Sequence, residues 1–328
     1  MTESLHVIRD PLRAEDLPRG GIVTIGNFDG VHLGHRRILE AAVARARESG
    51  RPSVAITFEP HPLAVLRPDH APRRIQTLRQ KEEAIEALGI DYLLVIPFTR
   101  DFSLTEPEEF VRGFLAERLG AAELVLGQHF AFGRKKRGDL ALLKRLGPEC
   151  GFIASGVEEV IEDGEPVSST RIRNAISAGR VAEAATLLGR RYELRGIVSR
   201  GERVGRKIGY PTINLSPENT LLPADGVYVT VIEITSFGRR FQCVTNIGRR
   251  PTVYEDFRTT IETYVFDFTA DVYGEDVKLF FEERLREERR FDSMMALTEQ
   301  IGRDIEATRE HFRKAGEAVP PDPPGRPE

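Results

Sequence analysis

Along the first half of the chain, short runs of β-branched and apolar residues alternate with stretches whose apolar positions recur at helical spacing. Ile22 to Ile25, Val54 to Phe58, Tyr92 to Ile96 and Leu124 to Leu126 read as buried strands, and Gly34 to Glu48, Leu78 to Leu88, Pro107 to Arg118 and Leu140 to Leu146 as helices. Alternation of this kind predicts an α/β domain, a parallel sheet with helices on its faces, whose ligands lie beyond the C-terminal ends of the strands. After a helical segment from Val181 to Leu188 the pattern changes. Tyr192 to Ser199, Gly226 to Ile234, Phe241 to Ile247, Thr259 to Phe268 and Val277 to Phe281 are strand-like and punctuated by Gly and Pro, which predicts a small antiparallel barrel closed off by an amphipathic helix from about Ser293 to Arg313. The expected organisation is therefore residues 1–188, residues 189–316, and a solvated, extended tail over 317–328, where five of the nine residues from Pro320 to Glu328 are proline.

A length of 328 residues suits two domains. With Lys+Arg 47 against Asp+Glu 51 the net charge is −4, which lacks the basic footprint of a nucleic-acid binder and limits any bound polyanion to a small one. No apolar run is long enough to span a bilayer, and the N-terminal stretch has no apolar leader segment, so no membrane partner is expected and the cytoplasm is the expected compartment. Cys150 and Cys243 stand far apart without a CxxC pair, offering neither a disulfide framework nor thiolate metal ligands.

Candidate chemistry concentrates at the ends of the expected strands. Gly26-Asn27-Phe28-Asp29-Gly30-Val31-His32-Leu33-Gly34-His35 is a strand, a glycine-rich turn and a helix start, an arrangement that brings backbone N–H groups and a helix N-terminus to an anion. His32 and His35, three apart, can face one side and donate to phosphate oxygens; in a blander reading they only cap the helix. Thr57-Phe58-Glu59-Pro60-His61-Pro62 turns sharply at a second strand end, and Ser168-Ser169-Thr170-Arg171-Ile172-Arg173 opens another helix with capping hydroxyls and two arginines suited to phosphate. No Walker lysine and no HExxH is present, and the scattered histidines argue against a metal centre in this half. The basic loop Gly133 to Gly138 reads as a phosphate lid.

In the second half, Gly205-Arg206-Lys207-Ile208-Gly209-Tyr210-Pro211-Thr212-Ile213-Asn214 joins flexible glycines and two cations to the start of a strand. Thr212 and Asn214, two apart, share a side, where both oxygens can hold a hydrated Mg²⁺ against nucleotide phosphates. Glu262 lies on an aromatic-rich strand whose apolar neighbours would desolvate its carboxylate, as a general base requires; a solvent-facing strand glutamate is the alternative. Leu285 to Phe291 is a charge cluster ending in an aromatic ring.

Taken in order, GNFDGVHLGH, TFEPHP, SSTRIR, GRKIGYPTINL, NIGRRPT and LREERRF resemble the bacterial bifunctional riboflavin kinase/FAD synthetase family over nearly the whole chain. The resemblance implies a nucleotidyltransferase-like, Rossmann-like N-terminal domain that adenylylates FMN to FAD with release of pyrophosphate, and a β-barrel kinase that phosphorylates riboflavin to FMN, with ATP as co-substrate and Mg²⁺ as cofactor. It further implies that Gly26, Asn27, Phe28, Asp29, Gly30, His32, His35 and His61 bind ATP, with His32 and His35 stabilising transfer and Ser169, Thr170, Arg171 and Arg173 on the phosphates. For the kinase it implies Gly205, Arg206, Lys207, Gly209, Thr212 and Asn214 at ATP, Thr212 and Asn214 on Mg²⁺, Glu262 as base, and Arg286 and Phe291 beside the flavin. This chain departs from the family's pattern at His129 and Ala131, within GQHFAFG, and at Tyr264, where a histidine is common. Two other readings stand beside the bifunctional one: a chain active only as the kinase, and a flavin-responsive binding protein that regulates a partner.

Overall fold

The computed structural model describes residues 4–200, 209–251 and 257–316. The expected extended tail lies outside them. The chain folds as two compact units, Met1–Ser169 and Thr170–Glu328.

In the first unit, β1 (His6–Arg9), β2 (Ile22–Ile25), α1 (Leu33–Ser49), β3 (Ser53–Glu59), α2 (Pro62–Leu66), α3 (Leu78–Glu86) and β4 (Tyr92–Pro97) are followed by α4 (Pro107–Glu109). That short helix runs on into a π-helix over Phe110–Arg118, then β5 (Glu123–Gly127), β6 (Ala131–Phe132), β7 (Gly138–Asp139), α5 (Leu140–Cys150) and β8 (Ile153–Val157). A two-stranded ribbon of β9 (Ile161–Glu162) and β10 (Glu165–Pro166) completes it. Six strands form one sheet in the order β1-β4-β3-β2-β5-β8, every neighbouring pair parallel. Side chains alternate between two apolar layers: Val54, Ile56, Leu94 and Ile96 pack with Phe110, Phe114 and Leu143 on one face, while Ala55, Leu93 and Val95 pack with Leu39, Val43 and Ile85 on the other. Burial on both faces is why these strands read as continuous apolar runs rather than as alternating ones. The helical pattern from Pro107 holds, but its backbone bonds widen. Leu119 N–H reaches the Phe114 carbonyl at 3.0 Å, and the Phe110 and Phe114 rings stack at 5.5 Å beneath the sheet.

The second unit contains most of α6 (Ser169–Ser177), then α7 (Val181–Leu188), β11 (Tyr192–Ser199), β12 (Ile213–Pro217), β13 (Gly226–Ile234), β14 (Arg239–Pro251), β15 (Phe257–Val265), β16 (Asp276–Arg286) and α8 (Met294–Lys314). The six strands close into an antiparallel barrel in the order β11-β12-β15-β14-β13-β16. Closure leaves no free edge among these strands. α7 lies against β11 and β16, with Val181, Leu187 and Leu188 buried. Inside the barrel the hydroxyls of Thr230, Thr245 and Thr263 are linked at 2.7 and 2.9 Å, and Cys243 Sγ sits 3.1 Å from Thr230 Oγ1. Cys150 and Cys243 are both free thiols.

Candidate active sites

Strand order in the first unit reverses at β2, which has β3 on one side and β5 on the other, so the crevice outside its C-terminal end is where an open α/β sheet holds a ligand. The turn that follows β2 occupies that place. Phe28 (φ 47°) and Val31 (φ 39°) adopt left-handed backbone conformations alongside Gly30 (φ 94°). For a β-branched residue such a conformation is strained by about 1–3 kcal/mol, and it persists because Phe28 and Val31 are locked by burial in the apolar layer. A Cβ on Gly26 would stand 2.8 Å from the Phe28 ring, so that position must lack a side chain.

The side chains of the turn divide their tasks. Asp29, 4% exposed, points inward, and its Oδ1 accepts from the Ile75 N–H at 3.1 Å. His32 Nδ1 accepts from the His35 N–H at 3.4 Å and caps α1, and the two imidazoles stack at 3.6 Å with 20° between planes. Capping and pairing are thus both realised, and the pair is held at the positive end of a 17-residue helix, with Phe28 edge-on to His35. Ser169 Oγ donates to the Asp29 carbonyl at 2.9 Å, which ties the start of α6 to the turn. Thr170, Arg171 and Arg173 follow in the second unit, where Arg171 Nε lies 3.9 Å from Glu183.

Beside the turn, a cleft at the end of β3 is lined by Asp29, Glu59, His61, Arg74, Gln76 and Lys81. His61 caps α2 through its Nδ1, and Arg74 pairs with Glu59 at 2.6 Å. Lys81 is absent from the expected site residues. It occupies the buried stripe of α3 with Ile85, and a lysine at an apolar helical position is the signal that marks it in the sequence. The basic loop is fastened to Glu106: Arg134 and Arg137 share its two oxygens at 3.0 and 3.1 Å, and Lys135 and Lys136 take left-handed conformations between them. His129 Nε2 lies 3.9 Å from Glu159, and Phe130 and Phe132 stack at 5.5 Å.

On the barrel, register builds the second site. Asn214 pairs with Ser199 on one side and with Glu262 on the other, and Glu262 pairs in turn with Asn246. Residues directly opposite across a ladder point to the same face, so Ser199, Asn214, Glu262 and Asn246 form one polar row across four adjacent strands. Asn246 opens the NIGRRPT motif and is not among the expected site residues; the pairing of β14 with β15 sets it beside Glu262. Thr212 stands two residues before Asn214, immediately ahead of β12. Tyr264, two residues beyond Glu262, packs edge-on against Tyr210 at 5.6 Å. Gly209 (φ 86°) is described, whereas Gly205, Arg206 and Lys207 lie outside the described residues. Arg286 and Phe291 do come together, the guanidinium carbon 5.8 Å from the ring centroid, but the guanidinium is also clamped onto Asp304 of α8 at 2.8 and 3.0 Å.

A strained glycine-rich turn with paired histidines on an α/β sheet, and a row of oxygen donors around a carboxylate on a closed barrel, are thus the two candidate sites. The FAD synthetase family model matches residues 14–171 and the riboflavin kinase family model residues 188–312. A bifunctional riboflavin kinase/FMN adenylyltransferase of Escherichia coli (strain K12) is 36% identical over 310 residues, covering 94% of this chain and 98% of that one. One of the same description from Pseudomonas fluorescens is 38% identical over 291 residues, 89% of this chain and 93% of the other. The chain belongs to the bifunctional riboflavin kinase/FMN adenylyltransferase family, and both activities are its own. A solved structure from Streptococcus pneumoniae, described as a macrolide-efflux protein, matches with a TM-score of 0.85 and 32% identity over 94% of this chain and 99% of that chain. Among the described residues of the present chain no helix is long and apolar enough to cross a membrane.

Proposed function

We propose that residues 1–188 transfer the adenylyl group of ATP to FMN at the turn after β2, and that residues 189–316 phosphorylate riboflavin at the polar row of the barrel, both in the cytoplasm. In the first reaction the FMN phosphate attacks the α-phosphorus of ATP and pyrophosphate leaves. The turn from Gly26 to Gly30 and the N-terminus of α1 receive the nucleotide, His61 lines the pocket, and His32 and His35 donate to the phosphate oxygens as charge develops on them. Ser169, Thr170, Arg171 and Arg173 act on the same phosphates. Support comes from the stacked imidazoles at the head of α1, a geometry with both rings committed to one side.

In the second reaction Glu262 accepts the proton of the ribityl hydroxyl as that oxygen attacks the γ-phosphorus of ATP, the bond to the β,γ-bridging oxygen breaks and ADP leaves. Thr212 and Asn214 hold the nucleotide with Gly205 to Gly209, and Arg286 and Phe291 flank the flavin. The observation that carries this reading is the register pairing of Glu262 with Asn214, which sets the proposed base beside the proposed phosphate ligand. The donor set also fits Mg²⁺: hydroxyl and amide oxygens are hard ligands, and such sites leave most of the coordination to water and substrate phosphates. When bound, Mg²⁺ neutralises charge on the transferring phosphoryl group.

Single substitutions test both assignments in one chain. Glu262→Gln removes the base at constant size and lowers riboflavin phosphorylation by ~10²-fold or more while FMN adenylylation stays unchanged. His35→Ala lowers FAD formation by a similar factor, and FMN accumulates. Chromatography of the flavins reads both. Full kinase activity in Glu262→Gln, or loss of both steps in either folded variant, would overturn the assignments.

A further inference from the structure

Lys81 is 6% exposed, on a helix whose start is fixed by a reciprocal cap between Thr77 and Gln80. Its ammonium donates to the Asn27 carbonyl at 2.8 Å and to Thr57 Oγ1 at 3.2 Å, and the Thr57 hydroxyl donates to the same carbonyl at 3.2 Å. Two donors from α3 and β3 therefore converge on one peptide of the glycine-rich turn. In a trans peptide the carbonyl and the following N–H point in opposite directions. Holding the Asn27 oxygen toward Lys81 thus turns the Phe28 N–H away from it.

Burying an amine is costly, and an apolar side chain of similar volume would fill the same space without that penalty. Burial pushes the Lys81 amine below its usual range, whereas the nearby carboxylates of Asp29 and Glu59 favour its charged form. A charge kept at such a cost behind a proposed phosphate site has an electrostatic use there.

We propose that Lys81 is a positioning residue of the adenylyl site: its buried ammonium fixes the peptide between Asn27 and Phe28 and places a positive charge behind the turn that receives the ATP phosphates. This rests on the reading of that turn as the ATP site. The test is Lys81→Met in the full chain, with initial rates of FMN adenylylation over a range of ATP concentrations, riboflavin phosphorylation on the same sample, and thermal unfolding. The expected result is a KM for ATP in adenylylation raised about tenfold to a hundredfold, as for loss of a hydrogen bond to a charged group. Phosphorylation is unchanged, and the unfolding midpoint of the first unit is unchanged or higher. A residue with only a structural role would lose stability and activity together.

Wild-type adenylylation kinetics, or activity lost in proportion to stability, would overturn the proposal. If Lys81→Met does not fold, Lys81→Gln decides: a raised KM for ATP in a folded chain upholds it, and a wild-type KM overturns it. Comparison with His35→Ala separates the two layers of argument. If His35→Ala impairs adenylylation and Lys81→Met does not, only the role of Lys81 fails; if neither does, the turn is not the ATP site.

Discussion

Removing the carboxylate of Asp304 should release the terminal helix from the barrel. Asp304 is 6% exposed and accepts from Arg286 Nε at 3.0 Å, from Arg286 Nη2 at 2.8 Å and from Gln300 Nε2 at 2.8 Å. Breaking a buried ion pair from one side costs about 3–5 kcal/mol. The Arg286 side chain keeps 21% exposure and regains some hydration when freed, so the lower end, about 3 kcal/mol, applies to Asp304→Ala. At 1.4 kcal/mol per factor of ten that is about a hundredfold. The assay is amide hydrogen exchange read by mass spectrometry on peptides of α8 in the full chain, where exchange should accelerate about a hundredfold while peptides of β2 and β3 keep their rates. Replacing the pair with apolar side chains, Arg286→Met with Asp304→Leu, should return protection to within a few-fold of the original, because paired removal strands no charge. Acceleration below about threefold in Asp304→Ala, or a double variant as fast as the single one, would refute the view that this ion pair holds α8. Riboflavin phosphorylation should fall with the release of α8, since Phe291 and the Arg286 side chain lie at that junction.

Removal of divalent cation by exhaustive chelation should abolish both reactions and readdition of Mg²⁺ restore them, because neither proposed site offers enough cationic side chains to neutralise a polyphosphate alone; full activity in chelator would contradict this. Burial raises the Cys243 thiol to about 12. At pH 8 about one part in ten thousand is then thiolate, so a folded Cys150→Ser chain should resist Ellman's reagent and release one equivalent of chromophore on unfolding. Reactivity should climb only as pH approaches the raised value, and rapid labelling of the folded chain at pH 8 would show the thiol to be accessible.

How legible each part was follows from where its determinants lie. Tyr192–Ser199 and Gly226–Ile234 have the bounds read from the pattern, because each carries its own β-branched periodicity and turn signals. β1 and β8 are absent from that reading: both are edge strands, β1 is at most half-buried, and β8 mixes exposed Ile153 and Gly156 with buried Ala154. The glycine-rich turn announces itself locally. Asn246 stands in a recognisable motif, but its place beside Glu262 depends on β14 pairing with β15. The clamp of Asp304 on Arg286 is hidden for the same reason, joining a strand end to a helical residue 18 positions further on.

The packing of α7 on the barrel bears on how such a chain could be taken apart. Cutting at residue 189 strips from the second unit a helix whose Val181, Leu187 and Leu188 are each 1% exposed, at about 1.5–3 kcal/mol per side chain uncovered. Against a typical domain stability of about 5–15 kcal/mol that loss is severe. A chimera that exchanges the barrel should therefore take its partner sequence from before Val181, so that the helix that covers β11 and β16 travels with the strands it packs on.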